Sequence, residues 1–173
     1  MEAKKQDPSE LVRWERIEGV IYNMTPPPTA QHQSIVSRLQ GEFYAFLKEK
    51  KCTSYVAPFG VWLNDEHDNY VEPDLTIICD PSKIHTKGCV GTPDLIVEVL
   101  SPATAVKDKG VKLKRYRISG VREYWIIDPL HQTVEVFLFT NNLCIEPRVY
   151  GKEDTLNVDL FPGLVIHLPD IFQ

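Results

Sequence analysis

A mixed α/β fold is what this sequence predicts, and three observations predict it. Two apolar runs, "DLIVEVL" at 94–100 and "REYWIID" at 122–128, are short and lack an alternating polar face, the pattern of strands covered on both sides. Between them, residues 101–120 carry helix punctuation at both ends. After them come shorter strand-like runs separated by turn residues. The expected architecture is a mixed sheet with a helix on each side and additional antiparallel strands.

The elements follow in order. Residues 1–14 form an N-terminal extension, and 15–173 form one domain, a length that can bury a real core. "LVRWERIEGVIYNM" has two strand-like halves joined at Glu18-Gly19, a hairpin pattern. "TPPPTAQHQ" then excludes regular structure through its prolines. From Gln31 to Lys50, Ile35, Val36, Leu39, Phe43, Phe46 and Leu47 recur at helical spacing. "SYVAPFGVWLN" and "NYVEPDLTIIC" read as two strands separated by the polar turn "DEHD", and "CDPSKIHTKGCVGT" as a loop. The second long helix has Ser101 at its N-cap, Pro102 in its first turn and Gly120 past its end. "TVEVFLF", "LCIEPRVY" and "TLNVDLF" close the sheet as antiparallel strands.

Apolar residues make up 43% of the chain and charged residues 25%, ordinary for a soluble globular protein. No apolar run is long enough for a membrane span, and the first ten residues lack the apolar core of a secretion signal. Cys52, Cys79, Cys89 and Cys144 are scattered without a C-x-x-C pair. They read as buried or incidental thiols of a reducing, cytoplasmic compartment. The net charge of −5 is unhelpful to phosphate binding. However, the run "KDKGVKLKRYRISGVR" is basic, with Asp108 its only acid. It reads either as a polyanion contact or as a solvated helix face.

The anomaly is Glu98, an ionisable residue inside an otherwise apolar strand. Strand alternation puts Asp94, Ile96 and Glu98 on one face and Leu95, Val97 and Val99 on the other. A buried carboxylate needs a cation, a proton or a metal. Asp94 is four residues away, roughly 13 Å along a strand, and one ion with contacts of about 2 Å cannot touch both. Asp74 in "VEPDLTII" opens a different apolar run and converges with Glu98 if the two strands pair in register. In the following helix, Asp108, Lys112 and Tyr116 form an i, i+4, i+8 row beside the apolar line of Val106, Leu113 and Tyr116. Lys112 then either reaches the same pocket or pairs with Asp108 on the helix surface.

The block "EPDL…PDLIVEVLSPAT…DKGVKLKRY…GVREYWIIDP" resembles the Uma2 family of candidate restriction endonucleases, within the PD-(D/E)XK nuclease superfamily. The likeness extends from about residue 15 to 172 and includes "IEGVIYNMTPPPTAQHQSIVSRL" and "LFPGLVIHLPDIF". It implies a restriction-endonuclease-like fold and a metal-dependent DNA endonuclease that hydrolyses phosphodiester bonds. In this likeness Asp74 and Glu98 are the catalytic acids. With the Val99 carbonyl they hold Mg²⁺, for which Mn²⁺ substitutes. Leu100 stands where the superfamily motif has its lysine, and Lys112 takes over that role from the helix. Accessory positions are His32, Glu42, Asp108 and Tyr116. The implied partners are DNA and a second copy of the chain, with no organic cofactor. The alternative is a catalytically silent module of the same fold that binds nucleic acid or protein.

Overall fold

The computed structural model describes residues 13–24, 27–65 and 68–173. The expected N-terminal extension therefore lies outside the described residues up to position 12, as do parts of the triple-proline segment and of the "DEHD" turn.

The chain opens with a hairpin of β1 (Trp14–Ile17) and β2 (Val20–Asn23). Its turn residues Glu18 and Gly19 both have positive φ, which suits a two-residue hairpin loop. Helix α1 (Ala30–Leu47) follows, and its Thr29 hydroxyl accepts from the His32 amide. Ile35, Val36, Leu39, Phe43 and Leu47 are its buried stripe. Next come β3 (Thr53–Val56), β4 (Gly60–Trp62), β5 (Tyr70–Val71), β6 (Leu75–Ile78), β7 (Ile84–His85), β8 (Gly88–Val90) and β9 (Leu95–Val99). A helical crossover leads from β9 to β10 (Glu123–Asp128) and β11 (Thr133–Thr140). The chain closes with β12 (Leu143–Cys144), β13 (Arg148–Gly151), β14 (Thr155–Asn157), β15 (Val165–His167) and the short helix Leu168–Ile171.

These strands form a central sheet ordered β12-β11-β10-β9-β6-β3, with β13 also on β11, and a second sheet ordered β2-β1-β5-β4-β8-β7. In the central sheet β9 and β10 run parallel, while β6 pairs antiparallel with both β9 and β3. The parallel pair requires a crossover, which the helix between them supplies. One face of the central sheet, with Leu95, Val97, Val99, Trp125 and Ile127, packs on α1 and the β14–β15 hairpin. The other, with Ile96, Tyr124 and Ile126, packs on the crossover helix and the second sheet.

Four expectations are corrected. Each long strand expected between residues 54 and 79 is two strands belonging to different sheets: β3 and β4, then β5 and β6. The breaks fall at Ala57-Pro58 and at Pro73, because proline cannot donate to a continuing ladder. The crossover helix starts at Ala105, not after Ser101. Ser101 instead forms a turn whose carbonyl accepts from the Thr104 and Ala105 amides. Val106 is exposed, not part of an apolar line. The helix runs as a π segment from Asp108 to Lys112 before resuming as α-helix at Leu113–Ser119, and that wider turn rotates Val106 out of phase with Leu113 and Tyr116. Finally, Cys52 and Cys79 form a disulfide, leaving Cys89 and Cys144 as thiols. The two sit one step beyond the Thr53↔Ile78 pair of β3 and β6, directly opposite each other.

Gly88 shows how tightly the second sheet closes. It has φ +145°, and a Cβ there would lie 2.1 Å from the Gly60 carbonyl oxygen. Since backbone faces backbone, Gly88→Ala is expected to lower unfolding free energy by about 2–3 kcal/mol. Urea denaturation checks this, and an unchanged midpoint would mean the β4–β8 approach is looser than described.

Candidate active site

Strand register brings the two acids together. Leu75 of β6 pairs with Val97 of β9, so one step further Asp74 falls opposite Glu98. Pro73 ends the preceding strand, and Asp74 turns its carboxylate to the β9 backbone, where Oδ2 accepts from the Val99 amide at 2.8 Å. His32, buried in the first turn of α1, places Nε2 3.2 Å from that same oxygen.

On the other side of β9, the crossover helix delivers Lys112. Its Nζ donates to Glu98 Oε1 at 2.7 Å and contacts Glu15 Oε1 at 2.8 Å and Asp108 Oδ1 at 3.5 Å. The Tyr116 hydroxyl donates to Glu98 Oε1 at 2.7 Å. The Tyr124 hydroxyl donates to the Asp108 carbonyl. Glu15, Glu98, Asp108 and Lys112 are all buried. Leu100 packs in the core beside them.

This burial governs the charges. Desolvation pushes the Glu98 pKa up to about 8: the Lys112 ammonium pulls it down, but Asp108, Asp74 and Glu15 add to the rise. Asp108 is likewise raised by burial against the pull of Lys112. Burial also opposes the charge on Lys112, yet Glu15, Glu98 and Asp108 outweigh it and raise its pKa well above the usual value. Glu15 is the converse case: burial would raise it, but Lys112 and Lys107 hold it below the usual carboxylate value. For His32, burial lowers the pKa while Asp74 and the Val99 backbone raise it, with a net increase.

The structure thus brings Asp74, Glu98, Lys112, His32, Asp108 and Tyr116 into one region beside the Val99 backbone. It does not bring Glu42, which is exposed on α1 because its neighbour Phe43 takes the buried stripe. Asp94 lies at the far end of β9, where Oδ2 accepts from the Cys79 amide and the backbone carbonyl accepts from Arg122 and Glu123. The basic run is largely occupied by the chain's own acids: Lys107 meets Glu15, Lys109 meets Glu135, Lys114 meets Glu18 and Arg122 meets Asp94. Sequence reading missed Glu15. The available signal was a carboxylate in phase with inward Ile17, while Trp14 points outward.

The donor chemistry fits a small hard cation held by two carboxylates and a carbonyl, the rest of its shell being water. Hydrogen bonds engage Asp74 Oδ2 and Glu98 Oε1. A closed cage is not present: no group of three or more His, Cys, Asp or Glu among the described residues could hold an ion.

A mixed sheet whose parallel pair is joined by a helical crossover, with helices on both faces, makes this an α/β fold. A crystal structure described as a putative nuclease belonging to DUF820, from Anabaena variabilis, shares that fold. Its TM-score is 0.74 at 23% identity, covering 92% of this chain and 89% of the other. The chain belongs to the Uma2 family, described as "Putative restriction endonuclease", whose model matches residues 3–169. It is therefore a member of a nuclease family. Two Synechocystis proteins, both named uncharacterized, are related. One, slr1290, is 28% identical over 147 residues, spanning 80% of this chain and 75% of its own. The other, sll1609, is 29% identical over 110 residues, spanning 62% of each. No described helix is long and apolar enough to cross a membrane.

The charge pattern sets how stability depends on pH. Between the usual 4.5 and about 8 for Glu98, the folded state keeps a proton that the unfolded chain releases, so stability falls as pH rises through that window. Asp108, Glu123 and His32, also raised, act in the same direction. Glu15, lowered, contributes stability above 4.5 that is lost as pH falls through its folded value. In metal-free protein, urea denaturation between about pH 5 and 8 is expected to show declining stability, with a shallower decline in Glu98→Gln. An equally steep decline in that variant would remove Glu98 as a cause.

Proposed function

We propose that this protein is a Mg²⁺-dependent endodeoxyribonuclease, with Mn²⁺ able to replace Mg²⁺. The observation that carries this reading is the buried Lys112 ammonium, 2.7 Å from Glu98 on the strand beside Asp74. The superfamily motif's lysine position holds Leu100, and Leu100 belongs to the core; the crossover helix supplies the cation instead. Asp74, Glu98 and the Val99 carbonyl are the groups that would hold the ion. When bound, it supplies Lewis-acid stabilisation of a phosphate oxygen and a more acidic water.

The chain's own residues do the rest. Lys112 brings fixed positive charge to where the scissile phosphate gains negative charge, in a site that excludes bulk water. Tyr116 fixes Glu98 by donating to the oxygen that Lys112 also uses. His32 and the Val99 amide fix Asp74, and Asp108 helps hold Lys112. A homodimer suits cutting of both strands, because a two-fold assembly presents two equivalent sites.

Plasmid nicking in Mg²⁺ or Mn²⁺ tests the reading. Asp74→Ala and Lys112→Ala are each expected to lose about 100-fold or more in rate, and full activity in either would refute its role. A second reading, a catalytically silent module binding nucleic acid or protein, is favoured by one observation: Glu98 Oε1 is already satisfied by Lys112 and Tyr116. Calorimetric titration with Mn²⁺ separates the two. Under the nuclease reading, the ion binds with proton release near pH 7, because a liganding Glu98 must be ionised. Absence of binding, with DNA still retained at low salt, would favour the silent module.

A further inference from the structure

We infer that Glu15 is a positioning residue of this site, acting through Lys112; the catalytic consequence rests on the nuclease reading above. Glu15 lies on β1 of the second sheet, its side chain fully buried. Oε1 takes Lys112 at 2.8 Å and also accepts from the Glu72 amide at 3.1 Å, while Oε2 takes Lys107. One carboxylate therefore binds two ammonium groups of the crossover helix to a different sheet.

The helix is shaped for this grip. In an α-helix, residues five apart point about 140° away from each other. Lys107 and Lys112 are five apart, and they flank and end the π segment Asp108–Lys112. The i→i+5 spacing of a π turn brings such a pair onto one side. Both ammonium groups then reach opposite oxygens of Glu15. Asp108 and Glu98 hold Lys112 from its own helix and from β9. Glu15 adds a third anchor from the second sheet, which opposes rotation of the ammonium away from Glu98. The hairpin residue thereby controls a group it never shares an element with.

The test compares Glu15→Gln, Lys112→Ala and the double variant in plasmid nicking, alongside NMR of metal-free protein. Glu15→Gln is expected to lower kcat by about 50-fold or more with KM near the parent value, the split expected when an interaction of the transition state is lost. The double variant should be no slower than Lys112→Ala alone, because residues acting as a unit are not additive. Unchanged kcat in a folded Glu15→Gln, or losses that multiply in the double variant, would overturn the inference.

In ¹⁵N-labelled, metal-free protein, the Lys112 ammonium should give a slowly exchanging signal, absent in Lys112→Ala and lost in Glu15→Gln. Persistence of that signal unshifted in Glu15→Gln also overturns the inference. If the parent protein cuts nothing, the nuclease reading fails, and the NMR arm still decides whether Glu15 holds Lys112. Should Glu15→Gln fail to fold, Glu15→Gln/Lys107→Met removes one ammonium with the carboxylate and carries the same comparisons.

Discussion

The interaction on which this structure depends is one ammonium shared by three buried carboxylates. Lys112 is 2% exposed, and Glu15, Glu98 and Asp108 surround it from a strand of each sheet and from its own helix. Without that cation, three acids would face one another in a space that water does not screen, a costly arrangement. The contact therefore fixes the distance between the two sheets and the rotation of the crossover helix. The neighbouring core, Tyr116 on Tyr124 on Phe137, packs around groups whose positions the charges have already set. Breaking a buried pair of this kind from one side costs about 3–5 kcal/mol. That magnitude rivals the loss of a core aromatic side chain.

Proline placement does the complementary work on the strands. At Ala57-Pro58 and again at Pro73, the chain leaves one sheet and enters the other. The residue after Pro73 is Asp74, which is thus freed from a continuous ladder just where β6 begins against β9. Its carboxylate can then turn onto the Val99 amide while its backbone carbonyl accepts from Ala57. The acid's place at a strand start, opposite Glu98, follows from the proline's inability to continue the strand before it.

Much of this could be read from the sequence. Glu98 declared itself as a charge in an apolar strand, strand alternation gave its face, and i, i+4 spacing joined Asp108 to Lys112 and Tyr116. The hairpin at Glu18-Gly19 and the stop at Gly120 follow from local backbone chemistry, and all three residues have positive φ. What stayed hidden depends on long-range register or on phase. Glu15 looked like any acid of an exposed hairpin, because its partners lie 92 and 97 positions away in sequence. The Cys52–Cys79 bond required knowing that β3 pairs with β6. The π segment removed Val106 from its expected face, and no residue type marks such a turn. Glu42 failed for a simpler reason: Phe43 beside it claimed the core.

The remaining step concerns charge balance. Two ammonium groups, Lys107 and Lys112, face three acids, Glu15, Glu98 and Asp108; Asp74 beyond them lies 3.2 Å from His32 Nε2. The cluster is therefore one positive charge short when every acid is ionised. The shortage does not spread evenly. Glu15 is contacted by both lysines and stays low, whereas Glu98 shares Lys112 with two competitors and rises to about 8. The missing charge is thus localised on the carboxylate that stands opposite Asp74. A proton answers that shortage at neutral pH, and so would a divalent cation shared with Asp74, by ionising Glu98 and neutralising both acids at once. Under the proposed reading the metal site and the raised Glu98 value have one cause: an acid left under-neutralised opposite Asp74 on the neighbouring strand.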